Sequence, residues 1–145
     1  MADTGTQNKN TDAYAQLRYL QNAYSQQYEL IEEQMATYSI SLESVRKGIE
    51  FLADAKKASN TKTLINIGGG AYTLASFPEI KSILVYVGAG YLVEQSLDVA
   101  KEYVDNGRKK QEETLRKLDN ERKKLQGELM GIAYKMEEMQ QKQQV

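Results

Sequence analysis

A seven-residue apolar repeat constrains this chain more than any other feature. In the first half, one series of positions reads Leu17, Tyr24, Ile31, Tyr38, Val45, Leu52, and a second reads Tyr14, Gln21, Tyr28, Met35, Leu42, Ile49. Only Gln21 among them is neither apolar nor aromatic. A 3.5-residue spacing held over five to six heptads keeps one narrow stripe of a helix facing a partner helix, which is the pattern of a coiled coil. The intervening Gln, Glu, Lys, Arg and Ser form a solvated outer face. Thr11 and Asp12 can accept the unsatisfied amides of a first turn, so they are candidate caps. The polar stretch 1–11 has nothing to bury and is expected to be a disordered tail. The first helix is therefore expected over residues 12–58.

The second flank repeats the pattern. One series is Leu97, Val104, Gln111, Leu118, Leu125, Ile132, Met139, and the other runs Leu115, Arg122, Leu129, Met136. Ser96 can cap this helix, and Asp98 suits its positive N-terminal end. The stripe fades around Gly107–Thr114, where a loose or solvated stretch is expected. The helix is expected over residues 96–143. Two helices of about 45–50 residues each reach roughly 70 Å, and their similar lengths predict that they fold back as an antiparallel pair.

The middle differs in kind. Residues 63–92 hold five of the ten glycines and the only proline, Pro78. Thr63–Ile67 is rich in strand formers, is followed by Gly68, Gly69 and Gly70, and leads into Ala71–Ala75. Ser82–Val87, then Gly88-Ala89-Gly90, then Tyr91–Val93 repeat the arrangement. Glycine tolerates the positive φ of a tight hairpin turn, so two tandem β-hairpins are expected over 63–93. Such hairpins are marginal alone and leave pairing edges free. They are expected to pair with those of other subunits, closing a shared β-barrel. The oligomerising residues would be Leu64, Ile65, Ile67, Tyr72, Leu74, Ile83, Val85, Val87, Tyr91 and Val93. The fold class is α+β: a long antiparallel coiled coil with two hairpins inserted between its helices, in one structural domain.

Composition argues against catalysis. Histidine, cysteine and tryptophan are absent, which removes disulfides, thiolate or imidazole metal sites, and Cys or His chemistry. No metal, cofactor or enzymatic activity is expected. Gly68-Gly69-Gly70 lacks the Gly-Lys-Ser/Thr ending of a phosphate loop, and Gly88-Ala89-Gly90 lacks a third glycine. Gly127 and Gly131 sit among charges, as a close-approach or flexible point of the coiled coil rather than a membrane motif. The formal charge of −1 attracts neither nucleic acid nor anionic membrane. The triplets Arg108-Lys109-Lys110 and Arg122-Lys123-Lys124 lie among acids and read as solvated helix faces. Glu32-Glu33 and Glu137-Glu138 diverge on a helix and make poor acid–base pairs. No leader resembling a signal peptide opens the chain, and zero cysteine is compatible with a cytoplasmic location.

The layout of heptad helix, two glycine-turned hairpins and returning heptad helix resembles the prefoldin α-type subunit. The most specific stretch is Ile83-Leu-Val-Tyr-Val-Gly-Ala-Gly-Tyr-Leu-Val-Glu-Gln-Ser-Leu-Asp-Val-Ala100, similar to the family's second hairpin and entry into its last helix. Leu64-Ile-Asn-Ile-Gly-Gly-Gly-Ala-Tyr72 is similar to the first hairpin. Asn66, Tyr86 and Gln95 depart from the family's usual residues. Two hairpins rather than one point to the α class over the β class.

The resemblance implies an ATP-independent holdase: a hexamer of two α and four β subunits whose coiled-coil tips bind non-native proteins and deliver them to a group II chaperonin. The implied partners are therefore β-type subunits, non-native clients and the chaperonin, with no nucleic acid and no membrane. The candidate tip residues are Tyr14, Leu17, Tyr19 and Leu20 near the chain start, and Ile132, Tyr134, Met136, Met139 and Val145 near its end. Methionine adapts to irregular partners, and tyrosine offers apolar area with a wet tip. Leu17, Ile132, Met136 and Met139 also lie on heptad seams, where packing within the chain is the plainer reading. Tyr19, Leu20 and Tyr134 lie off or beside the seam. The alternative is a filament-forming or scaffold subunit that assembles through the same hairpins.

Overall fold

The computed structural model describes residues 4–144, with the side chains of Thr4, Thr6 and Gln7 left aside. Helix α1 spans Thr4–Ala53 and the one-turn α2 spans Ala55–Ala58. Strands β1 (Lys62–Gly68), β2 (Ala71–Ser76), β3 (Ser82–Gly88) and β4 (Tyr91–Ser96) follow, and helix α3 spans Leu97–Gln143.

The residues group into two units, one up to Ser39 and from Glu113 onward, the other Ile40–Glu112. In the first, α1 and α3 are antiparallel. Arg122 donates to Glu32 at 3.0 Å, and Gln140 donates to the Tyr14 hydroxyl at 2.8 Å. Eighteen residues separate these contacts on each helix, so the register holds without slip over about 27 Å. The seam residues Tyr14, Leu17, Gln21, Tyr24, Tyr28, Ile31 and Met35 are buried or half-buried, as are Leu115, Leu118, Arg122, Leu125, Leu129, Ile132, Met136 and Met139. Tyr38 is the seam residue of this stretch that stays exposed.

The second unit contains the hairpins. Each is an isolated two-stranded antiparallel sheet, β1 with β2 and β3 with β4. Their turns are alike. Gly69 and Gly70 have φ of 61° and 75°, and Ala89 and Gly90 have φ of 50° and 81°. Two successive positive φ values make the type I′ turn, whose twist matches that of the flanking strands. A bulge precedes each turn, after Asn66 and after Tyr86. The Asn66 side chain accepts from the Gly68 amide at 2.8 Å.

Leu52, Val85 and Ala100 form the core of this unit, with Ile83, Leu97 and Val104 packed around it. The second hairpin is thus seated on the two helices. The link between hairpins is tied down separately: Phe77 packs edge-on against Phe51 at 6.1 Å, and its carbonyl accepts from the Asn60 amide at 2.8 Å.

Several boundaries differ from expectation. The expected tail is helical from Thr4; residues 1–3 lie outside the described residues. Once the seam holds a helix, each added residue gains one backbone hydrogen bond, and only Gly5 in residues 4–11 resists. Thr11 and Asp12 therefore lie inside the helix rather than at its cap. At the other end α1 stops at Ala53, because Asp54 takes φ −106° and ψ 10° and restarts the short α2. The ladders run from Lys62 to Ser96, beyond the expected 63–93. Ser96 does cap α3, its Oγ accepting from the Val99 amide at 3.3 Å.

The stretch around Gly107–Thr114 is unbroken helix rather than a loose segment. Arg108 is half-buried and pairs with Asp105 at 2.9 Å and Glu112 at 3.0 Å, while Arg46 reaches Glu112 at 3.5 Å. The apolar stripe fades there because an ion-pair cluster and the arginine stem take its place. Gly127 and Gly131 are not close-approach points: an added methyl would meet nothing within 4 Å at either.

Candidate interaction surfaces

Among the described residues no group of acids is placed to hold a metal ion, and no helix is long and apolar enough to cross a membrane. Both basic triplets are largely engaged along their own helix, Lys109 with Asp105, and Arg122 and Lys123 with Asp119. What the units present is apolar surface.

In the first unit, the expected tip residues separate into two sets. Tyr14, Leu17, Ile132, Met136 and Met139 face the seam and are buried or half-buried. Tyr19, Leu20 and Tyr134 face solvent, with Tyr19 and Tyr134 74% and 69% exposed. The register set by the Tyr14–Gln140 and Glu32–Arg122 contacts brings Leu20 level with Tyr134 across the pair. Ala15, Gln16, Tyr19 and Leu20 line a shallow apolar hollow on α1. Met130, 68% exposed, belongs to the same end of the unit and was not expected. It follows the seam residue Leu129, and only the heptad phase marks it as outward. Val145 lies outside the described residues.

In the second unit, register decides which side chains are free. Residues directly opposite in an antiparallel pair share a face. Val85 opposes Val93 and Ile83 opposes Gln95, on the face that packs on the helices. Leu84 opposes Glu94 and Tyr86 opposes Leu92, on the other face. Ile83 and Val85 are therefore core residues of the chain itself, unlike the other expected hairpin residues. The exposed set is Leu84, Tyr86 and Leu92, with Val87, Tyr91 and Val93 exposed as well. In the first hairpin Leu64 opposes Leu74 and Asn66 opposes Tyr72. Leu64, Tyr72 and Leu74 are exposed, as is Ile67, while Ile65 is half-buried. Each of these two small sheets exposes several large apolar side chains, and apolar surface clustered in this way marks an interaction site.

Two further contacts fix the outer face. Tyr103 on α3 donates to the Tyr86 carbonyl at 3.0 Å, joining helix and hairpin. Ser82 donates to Glu94 at 2.6 Å across the sheet. Leu84, Tyr86 and Leu92 were missed because both faces of β3 are apolar, so alternation carries no inside–outside signal. The opposition of Val85 to Val93 is the clue that resolves it.

Comparison with known proteins agrees with this geometry. Residues 24–142 match the family model described as Prefoldin subunit. The prefoldin subunit alpha of Pyrococcus horikoshii is 26% identical over 137 residues, covering 93% of each chain. That of Methanocorpusculum labreanum is 29% identical over 119 residues, covering 81% of each. Among solved structures, a filamentous PFD from Methanocaldococcus jannaschii superposes with a TM-score of 0.63 at 17% identity, covering 79% of this chain and 95% of that one. The matched span takes in most of both helices and both hairpins, and the chain belongs to the prefoldin family as a chaperone subunit of the alpha type.

Proposed function

We propose that this chain is the α-type subunit of an ATP-independent holdase of two α and four β subunits, acting in the cytoplasm. Its hairpins would join those of β-type subunits in a shared β-barrel, through Leu64, Ile67, Tyr72, Leu74, Leu84, Tyr86 and Leu92. Its helix ends would hold non-native proteins until a group II chaperonin takes them. The observation that carries this reading is the exposure of Tyr19, Leu20, Met130 and Tyr134 toward one end of the first unit, in addition to Leu30 further along α1. Gln16, Asn22, Lys135 and Glu138 surround them in sequence and keep such a surface soluble. Each contact is weak, and several subunits gripping one client multiply affinity through effective concentration. No nucleotide is needed, because holding and release follow from exposed area and competition alone.

The test is truncation of residues 1–20 and 133–145 in the chain co-assembled with a β-type subunit. Assembly should survive and suppression of client aggregation should be lost. Full protection by the truncated complex would place the holding site elsewhere. Sedimentation of the untruncated assembly decides its form: a discrete hexamer supports the proposal, and a length-distributed polymer replaces it with the filament-forming scaffold. Transfer of a held client to a group II chaperonin, followed by its release, tests the delivery step.

A further inference from the structure

The two hairpins repeat each other at an offset of 20 residues. Their registers match pair for pair, from Lys62–Ser76 and Ser82–Ser96 to Asn66–Tyr72 and Tyr86–Leu92, and each bulge falls at the same place. Their outer faces differ most at the middle rung, which is Leu64–Leu74 in the first hairpin and Leu84–Glu94 in the second. Glu94 is the one charged residue on its face, which otherwise carries Ser82, Leu84, Tyr86, Leu92 and Ser96. It is exposed, and the Ser82 hydroxyl donates to its Oε1 at 2.6 Å. Among the described residues no lysine or arginine pairs with it.

A face that sets Leu84, Tyr86 and Leu92 around a carboxylate is covered favourably only when the charge is answered, because an unpaired carboxylate taken out of water is strongly unfavourable. Ser82 bonds one oxygen and leaves the other for a partner. We propose that Glu94 selects the subunit that covers the second hairpin, by pairing with a lysine or arginine on the apolar face of a β-type subunit's hairpin. A second copy of this chain does not supply that cation in register. At the same rung it offers either Leu64 and Leu74 or another Glu94, and opposed like charges repel. Lys62 lies one rung nearer the base of its hairpin. The carboxylate thus attracts one partner and disfavours self-association. This rests on the reading that the hairpins join those of β-type subunits.

The test is Glu94→Gln in the full chain, mixed with a β-type subunit and followed by sedimentation. The glutamine carbonyl still accepts from Ser82, so the variant removes the charge and keeps the cross-strand bond. Association should weaken about 10–100-fold, and its dependence on salt should flatten. Glu94→Lys should weaken it further, and changing one lysine or arginine of the β-type hairpin to glutamate should restore it. Unchanged affinity of Glu94→Gln, or no restoring change, would overturn the pairing while the hairpin assembly stands. A second measurement uses the chain alone. Glu94→Leu should self-associate about 10-fold more tightly than wild type, and equal self-association would overturn the exclusion. Tight wild-type self-association lost in both Glu94→Gln and Lys62→Gln would make the occupant a second copy and overturn the proposal. A wild-type chain that does not associate with the β-type subunit would overturn the reading of the hairpins, and this proposal with it.

Discussion

Leu52→Ala tests whether the second hairpin is held by the chain's own core. Leu52 is 5% exposed and touches Val85 of β3 and Ala100 of α3, so it joins three elements. Truncation removes buried carbon and leaves a cavity, which in well-packed cores costs about 2–5 kcal/mol. The surrounding Ile83, Leu97 and Val104 are only half-buried. They can close in, and water can enter, so the expected loss lies near the lower end, about 2–3 kcal/mol. For a chain of this length that corresponds to a fall of roughly 5–10 °C in Tm.

The assay is urea unfolding followed by far-ultraviolet circular dichroism, at one fixed protomer concentration, because assembly shifts apparent stability by mass action. Leu30→Ala is the control. Leu30 is on the same helix and well exposed, and its truncation should change stability by less than about 0.5 kcal/mol. Amide exchange of β3 and β4 should speed up in Leu52→Ala more than that of β1 and β2, since Val85 and Ile83 pack on this cluster and the first hairpin does not. Equal small losses for Leu52→Ala and Leu30→Ala would refute the argument. The hairpin would then draw its stability from other subunits alone.

Three other outcomes are expected. Ala89 holds a φ of 50° in a type I′ turn, so Ala89→Gly should stabilise by about 0.5–1 kcal/mol in thermal unfolding, the left-handed strain outweighing the added freedom of the unfolded chain. Leu84→Ser/Leu92→Ser removes two exposed leucines from the outer face of the second hairpin; association measured by sedimentation should weaken roughly 100-fold, with helix content unchanged. The carboxyls of Asp119, hydrogen-bonded by Lys123 and Arg122, and of Asp105, hydrogen-bonded by Arg108 and Lys109, are held below the ordinary carboxylate range. Because the folded value is the lower one, their stabilisation is complete above the unfolded carboxylate value of about 4 and is lost as pH falls through the folded one. Asp105→Asn/Asp119→Asn should therefore flatten the acid limb of a Tm-against-pH profile and leave its slope above pH 6 unaltered.

The helices were legible because a seven-residue period has few competing meanings. Leu17 through Leu52 and Leu97 through Met139 carry it, and burial follows it at nearly every seam position. The hairpins were legible because three glycines in a row, and Gly-Ala-Gly, have little use between strand formers except a positive-φ turn. What was not legible depends on contacts between distant segments. Nothing local says that Arg46 of α1 would reach Glu112 where the apolar stripe of α3 fades; the Asp105–Arg108–Glu112 pairs, three and four residues apart on one helix, were there to be read. Ile83 and Val85 could not be told from Leu84 and Tyr86 while both faces of the strand were apolar. Which tip residues are free was half legible, since the heptad phase marked Tyr19, Leu20 and Tyr134 as off the seam but Met130 was read past.

The polar residues in the seams have a reason that stability alone does not supply. A seam of Leu, Ile, Met and Tyr can slide by one heptad and still bury apolar surface, so it specifies pairing but barely specifies alignment. Arg122 removes that freedom. It sits at a seam position, and its guanidinium donates to Glu32 and Asp119 while its Nε is buried without a partner. One heptad either way from Glu32 stands a serine, Ser25 or Ser39. A slipped register would therefore leave a half-buried guanidinium without its carboxylate across the pair, an unfavourable state that the native register avoids. Lost apolar packing at residue 122 is the counterpart of a unique alignment. That alignment is what brings Leu20 level with Tyr134, so the residue that weakens the seam in the middle of the pair is the one that assembles its apolar end.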